Sequence, residues 1–159
     1  MNNIDHNPVK GVTRLEASVL IKASRQEVWE VVRDFGNIQI FHLLIKESHK
    51  LNHAPELGAQ RLCKLKPMGI MEEEIIEWNE GIGYMATVTG GKMLPPYEFM
   101  TGKLFLEAVG DETQVTFTFS YKLKFGALGS IMNLLLIKPQ FKAAPVKFVE
   151  GLRQYCERI

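Results

Sequence analysis

The pattern of apolar and polar positions changes its period near the start of the chain. From Leu15 to Ile21 the residues alternate, which predicts a strand with one more apolar face. Ser24 and Glu27 then have the spacing of a capping box, and Gly36 supplies a stop signal. The apolar residues between them recur at helical spacing: Val28, Trp29, Val31, Val32 and Phe35. We therefore expect a strand, a capped helix and a second short helix over residues 37–42.

The middle of the chain predicts six further extended segments. They cover residues 43–51, 59–65, 70–78, 84–89, 100–108 and 114–125. The connections carry turn residues: Pro67-Met68-Gly69, Asn79-Glu80-Gly81, Gly90-Gly91, Pro95-Pro96 and Gly110-Asp111-Glu112. Because short connections join consecutive antiparallel strands, the pattern predicts a meander.

The last predicted strand is followed by one long helical pattern. Alternate residues of the strand are apolar and share a face: Val115, Phe117, Phe119, Tyr121, Leu123 and Phe125. Residues 126–159 are apolar at helical spacing, and Pro139 and Pro145 lie within them, so we expect a kink or break near Pro139. A sheet with one apolar face and a long amphipathic helix predicts an α+β domain in which the helix packs across the sheet.

Composition narrows the class of protein. The 159 residues fit one domain, which we place at residues 13–159 after a loose leader of residues 1–12. The formal charge of +1 argues against nucleic-acid binding. Two distant cysteines, Cys63 and Cys156, and a polar N-terminus without a signal-peptide pattern favour a cytoplasmic location with reduced thiols.

Two local patterns are rejected as sites. His49 and His53 lie in a predicted strand and loop without a ligand cluster, so we expect no metal site. Gly81-Ile82-Gly83-Tyr84-Met85-Ala86 matches a dinucleotide-binding string, but a strand-like segment follows it instead of a helix, so we interpret it as a hairpin turn. No cofactor is expected.

Four stretches together resemble a known superfamily. They are Ala23-Ser24 with Val28-Trp29, Val32 and Phe35; Glu73 with Ile76-Glu77-Trp78-Asn79; Leu106-Glu107 with Gly110-Asp111, Thr113 and Val115-Thr116; and Phe148-Val149-Glu150-Gly151-Leu152. Their order resembles the START/Bet v 1-like (SRPBCC) superfamily, most closely its polyketide cyclase/dehydrase-like branch. The resemblance implies a helix-grip fold, in which a bent antiparallel sheet in the order β-α-α-β6-α wraps around the C-terminal helix and encloses a cavity.

The resemblance also implies which positions face that cavity. Residues 66–70 and 90–97 resemble mobile mouth loops, and Met100 stands where relatives often have tyrosine. The candidate ligand-binding residues are His42, Met71, Glu73, Tyr84, Ala86, Val88, Met93, Tyr97, Met100, Phe117, Phe119, Tyr121 and Phe148. The alternative is that these residues fill a solid core.

Glu73 and His42 are the candidate acid/base residues, although no catalytic residue is assured. A carboxylate among apolar groups would have a raised pKa and could bind a ligand hydroxyl or move a proton. One or more of Glu72, Glu73 and Glu74 must face solvent, so the inward position of Glu73 comes from the resemblance. His42 could equally be a structural or surface histidine.

Three functions remain open. The first is a binding or carrier protein for a small hydrophobic molecule such as a lipid, quinone or polyketide. The second is a cyclase- or dehydratase-type enzyme in which Glu73 acts with His42 or Tyr84. The third is a quinone or lipid chaperone that contacts a membrane through residues 129–137, although a helix packed on the sheet is the simpler interpretation of that apolar run.

Overall fold

The fold is described from a computed structural model that covers residues 9–159. Residues 1–8 of the predicted leader lie outside the described residues, and Val12 already belongs to the first strand. Seven strands form one antiparallel sheet in the order β1-β7-β6-β5-β4-β3-β2. They are β1 Val12–Ile21, β2 Ile45–Lys50, β3 Gln60–Leu65, β4 Ile70–Asn79, β5 Gly83–Lys92, β6 Tyr97–Val109 and β7 Glu112–Leu123.

The chain crosses from one edge of the sheet to the other through two short helices. Helix α1 covers Arg25–Val32 and begins with the predicted capping box, in which Ser24 and Glu27 bond to each other's backbone N–H groups. It ends at Arg33 and not at the predicted Gly36, because Phe35 already belongs to a 3-10 helix, Phe35–Ile40. This 3-10 helix is the second predicted helix, and it turns Phe35 and Ile38 into the core.

The C-terminal helical region is interrupted twice. Helix α2 covers Gly126–Met132, a π-helical turn covers Asn133–Ile137, α3 covers Lys138–Phe141, and α4 covers Ala143–Cys156. Pro139 and Pro145 cannot donate to the carbonyls of Leu135 and Phe141, which explains why the regular hydrogen bonding stops before each proline. We call residues 126–141 the broken helix; the predicted interruption near Pro139 is confirmed.

The α+β helix-grip arrangement is confirmed by the packing of α4 across the sheet. Helix α4 contacts β1, β7 and α1, and buries Phe148, Val149 and Leu152. The 81–86 string is the predicted hairpin turn between β4 and β5. Gly90 and Gly91, however, are not a turn: both lie in β5, next to a bulge at Thr89, since Glu72 pairs with Gly90 and Glu73 pairs with Val88. A Cβ on Gly91 would collide with the Ile70 carbonyl.

Candidate functional site

A cavity of about 810 Å³ lies between the sheet, α4 and the broken helix. Strands β3 to β7 form one wall, and the 3-10 helix and the loop after it form another. Most of the lining is apolar, and it includes Ile38, Leu44, Ile45, Leu65, Met71, Val88, Leu94, Met100, Gly102, Phe117, Phe119, Ile137, Phe141 and Phe148. The volume is within the range of about 300–1,000 Å³ that is typical of small-molecule sites.

A buried ion pair lies at the inner end of the cavity. The Nε of Arg61 donates to Oε2 of Glu73 at 2.7 Å, and both side chains are less than 10% exposed (5% and 9%). The two residues face each other across the β3–β4 pairing. Arg61 also donates to the Phe35 carbonyl at 2.9 Å and lies over the Phe35 ring at 3.9 Å. The 3-10 helix thus fixes the guanidinium, which in turn fixes Glu73.

The ion pair decides the charge state of this end of the cavity. Burial is the largest single influence and lowers the pKa of Arg61, but the Glu73 carboxylate together with Cys63 and Tyr84 outweighs it, and the net shift is upward. The sequence-based expectation of a free carboxyl among apolar groups is therefore wrong for Glu73, which has a charged partner. Both hydrogen bonds to Glu73 within residues 9–159 reach Oε2, from Arg61 and from the Cys63 thiol. Oε1 is the oxygen that a ligand hydroxyl could reach.

His42 is a neutral polar group on the cavity wall. Burial, followed by the positive charge of Arg61, lowers its pKa to about 3. Its Nδ1 accepts a hydrogen bond from the Leu44 N–H at 3.2 Å, which assigns the remaining proton to Nε2. The ring packs edge-on against Phe148, with centroids 5.4 Å apart. His42 can therefore donate one hydrogen bond to an uncharged ligand oxygen at neutral pH.

Stacked aromatic rings form the part of the cavity wall that belongs to β7, α4 and the broken helix. Phe117 of β7 stacks on Phe148 of α4 with centroids 4.1 Å apart and planes 8° apart. Phe119 packs against Phe141 of the broken helix at 5.4 Å. These contacts join the sheet to both parts of the C-terminal helical region and give a flat apolar surface suited to rings or alkyl chains.

The mouth of the cavity is formed by two loops and the broken helix. The β3–β4 loop contributes Lys66, Pro67 and Met68, and the β5–β6 loop contributes Met93, Leu94 and Pro95. The second loop is shorter than the predicted 90–97, since Gly90 and Gly91 lie in β5. Met68 and Met93 are exposed although they line the cavity, so they mark its opening.

Nine of the thirteen candidate ligand-binding residues line this cavity. They are His42, Met71, Glu73, Val88, Met93, Met100, Phe117, Phe119 and Phe148. Whether they bind a ligand stays a prediction. The placement of Glu73 inward, with Glu72 and Glu74 only half-buried, agrees with the expectation from the resemblance.

The other four candidates lie outside the lining. Tyr84 and Ala86 share a strand face with Val88 but are farther from the mouth, where Phe35 packs on Tyr84 at 5.5 Å and fills the space. Tyr97 is half-buried beside Leu123. Tyr121 is covered by the broken helix, and its hydroxyl donates to Asn133 Oδ1 at 2.6 Å beside a separate cleft of about 40 Å³.

Arg61 is the functional candidate that sequence reasoning missed. In the segment Gln60–Leu65, alternation places Arg61 on the same face as Cys63 and Leu65, and these apolar neighbours were the available signal. A charged residue is normally assigned to solvent, so the signal was passed over. The partner of Arg61 depends on the β3–β4 register, which the sequence pattern alone does not give.

The remaining titratable groups at this end are poor proton carriers. Burial raises the pKa of the Cys63 thiol to about 12, and burial also raises the pKa of Tyr84. Cys63 and Cys156 are both free and buried.

Within residues 9–159 no group of three or more His, Cys, Asp or Glu side chains is placed to hold a metal ion. In the same part of the chain, no helix has the length and apolar character needed to cross a membrane.

Comparison with known proteins gives a family and a fold. A family model described as "Polyketide cyclase / dehydrase and lipid transport" matches residues 12–157. No curated protein sequence matches the chain significantly.

Solved structures of low sequence identity share the fold. Ara h 8.0201 has a TM-score of 0.74 at 14% identity, with 94% of this chain and 100% of that one covered. TTHA0849 from Thermus thermophilus has a TM-score of 0.71 at 15% identity, covering 92% and 98%. The Zhui aromatase/cyclase from Streptomyces sp. R1128 has a TM-score of 0.77 at 13% identity, covering 92% and 94%. These similarities concern the fold and not a shared activity.

Proposed function

Because the chain belongs to the polyketide cyclase/dehydrase and lipid transport family, we propose that it binds and carries a small, mainly apolar molecule in the cavity described above. The observation that carries this proposal is an apolar cavity of about 810 Å³ with one cluster of polar side chains, which we call the polar group: Arg61, Glu73 and His42. A molecule of lipid, quinone or polyketide type has the matching chemistry, namely a long or flat apolar body with a few oxygens.

The polar group specifies how such a molecule lies. An uncharged oxygen of the ligand would accept a hydrogen bond from His42 Nε2, or a ligand hydroxyl would donate one to Glu73 Oε1. The apolar body of the ligand would then pack on Phe117 and Phe119. A strongly anionic ligand group is disfavoured beside the Glu73 carboxylate, because Arg61 already uses its charge on Glu73. The preferred ligand thus carries a hydroxyl or carbonyl at the end that enters first.

A cyclase- or dehydratase-type reaction is the second candidate, and one observation favours it: Glu73 and His42 both border the cavity. Three others weigh against it. Glu73 is held in an ion pair, and a histidine with a pKa of about 3 is a weak base. Tyr84, the other proposed partner, lies outside the lining. Glu73→Gln should abolish turnover of a polyketide-type substrate if this function holds, and should change ligand preference without any turnover to lose if the carrier function holds. Because the substitution also removes the counter-charge of Arg61, both readouts are taken on protein that is shown to be folded.

The first test is native mass spectrometry of the protein purified from its host, followed by solvent extraction of any bound molecule. A stoichiometric apolar compound supports the carrier function. An empty protein that also gives no thermal shift across a panel of lipids, quinones and polyketides contradicts it.

A matched pair of variants on α4 then places the binding site. Ala144 lines the cavity, whereas Val146 of the same helix is 52% exposed and does not. Ala144→Phe fills part of the cavity and should weaken ligand binding at least about tenfold, because the added ring occupies ligand volume. Val146→Phe adds a similar bulk to the outer face and should leave affinity unchanged. Equal affinity for both variants would place the ligand elsewhere.

A further inference from the structure

Apolar side chains crowd the surface around the mouth of the cavity. From Phe125 to Leu136 the chain turns several of them to solvent, while Ile137 and Phe141 of the same segment face the cavity. The tips of the two mouth loops add Met68 and Met93. These side chains are 57% to 72% exposed, and we call them the apolar mouth surface: Met68, Met93, Phe125, Leu128, Ile131, Leu134, Leu135 and Leu136. A cluster of this kind marks an interaction site more often than a scatter of single residues does.

The topology places all of these segments at one end of the molecule. In an antiparallel meander the β3–β4 and β5–β6 connections lie at the same end of the sheet. The C-terminal end of β7, from which the broken helix starts, lies at that end too, since Leu123 pairs with Tyr97 at the start of β6. Residues from both loops and from the broken helix line the same opening. Met68 and Met93 line the entrance themselves, and the other members of the apolar mouth surface belong to the segment whose Ile137 and Phe141 line it.

The charges around this surface are mostly positive. Residues 113–149 contain five lysines and no Asp or Glu. In the two mouth loops and the broken helix with its flanks lie five lysines that form no ion pair within residues 9–159: Lys66, Lys92, Lys124, Lys138 and Lys142. Lys122 nearby does have a partner, Glu98 at 2.9 Å. An apolar surface bordered by free ammonium groups is complementary to a layer of apolar chains under phosphate groups.

Backbone geometry gives independent support. Met93 and Phe125 have φ values of 60° and 73°, and they are the two non-glycine residues of the described chain with positive φ. A bulky side chain in this conformation is strained, and glycine would fit better. Both residues belong to the apolar mouth surface, so the chain keeps two exposed apolar side chains at positions where they cost stability. Strain of this kind is typical of functional positions.

We infer that the apolar mouth surface docks on an anionic lipid bilayer, so that the cavity opens towards the membrane interface. Protruding leucine, methionine and phenylalanine side chains insert below the phosphate groups, and the lysines contact those groups. A lipid bilayer fits better than a folded partner because the exposed apolar side chains are bordered by lysines that form no ion pair within residues 9–159, which matches apolar chains beneath phosphate groups. Docking does not depend on which molecule fills the cavity, although with the proposed carrier function it defines the route of entry.

The test is cosedimentation with vesicles of phosphatidylcholine alone and of phosphatidylcholine mixed with phosphatidylglycerol. We expect the protein to sediment with the mixed vesicles, to bind the neutral ones more weakly, and to lose part of its binding in high salt. Replacing Leu134, Leu135 and Leu136 together by Ser should lower binding by roughly tenfold or more, because three inserted side chains are lost. Lys138→Gln with Lys142→Gln should lower binding to the mixed vesicles by about fivefold per lysine.

Two further variants separate docking from folding. Leu57→Ser is the matched control: Leu57 is 65% exposed, as Leu135 is 67% exposed, but it lies in the β2–β3 connection at the opposite end of the sheet. Its substitution should leave vesicle binding unchanged. Phe125→Gly relieves the positive φ, so the melting temperature should not fall, while vesicle binding should drop about fivefold or more.

The inference is overturned if the wild-type protein stays in the supernatant with mixed vesicles, or if the triple leucine variant and Phe125→Gly bind as tightly as the wild type. It is also overturned if size-exclusion chromatography with light scattering shows a dimer that the triple variant converts to a monomer, since a second copy would then cover the surface. Ligand affinity measured without vesicles stays unchanged in the triple variant, so a failure of docking is distinct from a failure of the carrier function.

Discussion

The apolar interior consists of two clusters that differ in how completely they are filled. The first surrounds α1, the 3-10 helix and α4, and contains side chains such as Ile21, Val28 and Leu152 that have no exposed surface. The second lies towards the mouth and has four buried members, Val88, Met100, Tyr121 and Leu123. Its other members are half-buried: Met71, Leu94, Phe119, Ile137 and Phe141 line the cavity, whereas Leu15, Tyr97 and Met132 do not.

This difference assigns stability and binding to opposite ends of one sheet. Close packing without voids favours a single rigid arrangement, so the first cluster holds the strands and helices in place. Side chains that border a cavity have fewer partners and can move to fit different molecules, as methionine does particularly well. The polar group of Arg61, Glu73 and His42 lies where the two clusters meet.

The largest expected effect comes from breaking the ion pair at that junction. Arg61→Met leaves the Glu73 carboxylate buried without a counter-charge and removes the donor to the Phe35 carbonyl, and it should lower the free energy of unfolding by about 3–5 kcal/mol. Combining it with Glu73→Leu removes both charges, so the double variant should recover most of the loss. Urea denaturation measures both; a double variant as unstable as the single one would show that the ion pair is not the cause.

A smaller effect, about 2 kcal/mol or more, distinguishes closely packed backbone from the cavity wall through the same substitution at two glycines. At Gly151 in α4 an added Cβ would collide with the Phe41 carbonyl, which belongs to the rigid backbone of the first cluster. At Gly102 it would meet the Phe117 ring at 2.9 Å, and that ring borders the cavity and can shift. Gly151→Ala should therefore be destabilising by that amount, and Gly102→Ala by less than about 1 kcal/mol.

Thermal and chemical denaturation of both variants check this comparison, and ligand affinity adds a second readout. Gly102→Ala should weaken ligand binding more than it lowers stability, because the displaced ring narrows the cavity. Equal loss of stability in the two variants would mean that the Phe117 ring at the cavity wall is held as rigidly as the backbone at Phe41.

The fold could be predicted from the sequence because its signals are local. Alternation defined β7, and the pairing of Ser24 with Glu27 defined the start of α1. Each depends on residues within a few positions, and both elements were confirmed. The predicted end of β7 was wrong, since the strand stops at Leu123 and Phe125 turns to solvent instead of the buried face. The pattern failed where pairing between strands decides the structure: Gly90 and Gly91 have turn composition, but they continue β5 beyond a bulge at Thr89 and pair with β4.

The candidate site was only partly predictable, because pairing across strands decides it. Face alternation and the resemblance placed Met71, Val88 and Met100 on the cavity wall. Tyr84 shares the face of Val88, yet Phe35 covers it, and no local pattern reports that packing. Arg61 was missed for the same reason, since its burial is possible only because β3 and β4 pair in the register that brings Glu73 opposite.

The smallest predicted effect tests whether water reaches His42 at the junction between the two clusters. His42 has a pKa of about 3 in the folded protein against 6.5 for the free side chain. Between these values the unfolded chain binds a proton that the folded protein does not, so the free energy of unfolding falls as the pH falls from 6.5 towards 3. One such group contributes a slope of at most about 1.4 kcal/mol per pH unit.

His42→Asn keeps an acceptor near the Leu44 N–H and removes the titration. Relative to the wild type it should therefore lose less stability between pH 6.5 and pH 5.5, by about 1 kcal/mol, while the carboxylates contribute equally to both proteins. Urea denaturation at the two pH values measures the difference. Equal losses would mean that water in the cavity hydrates the protonated imidazole, so that solvent reaches His42 as well as the half-buried side chains of the second cluster.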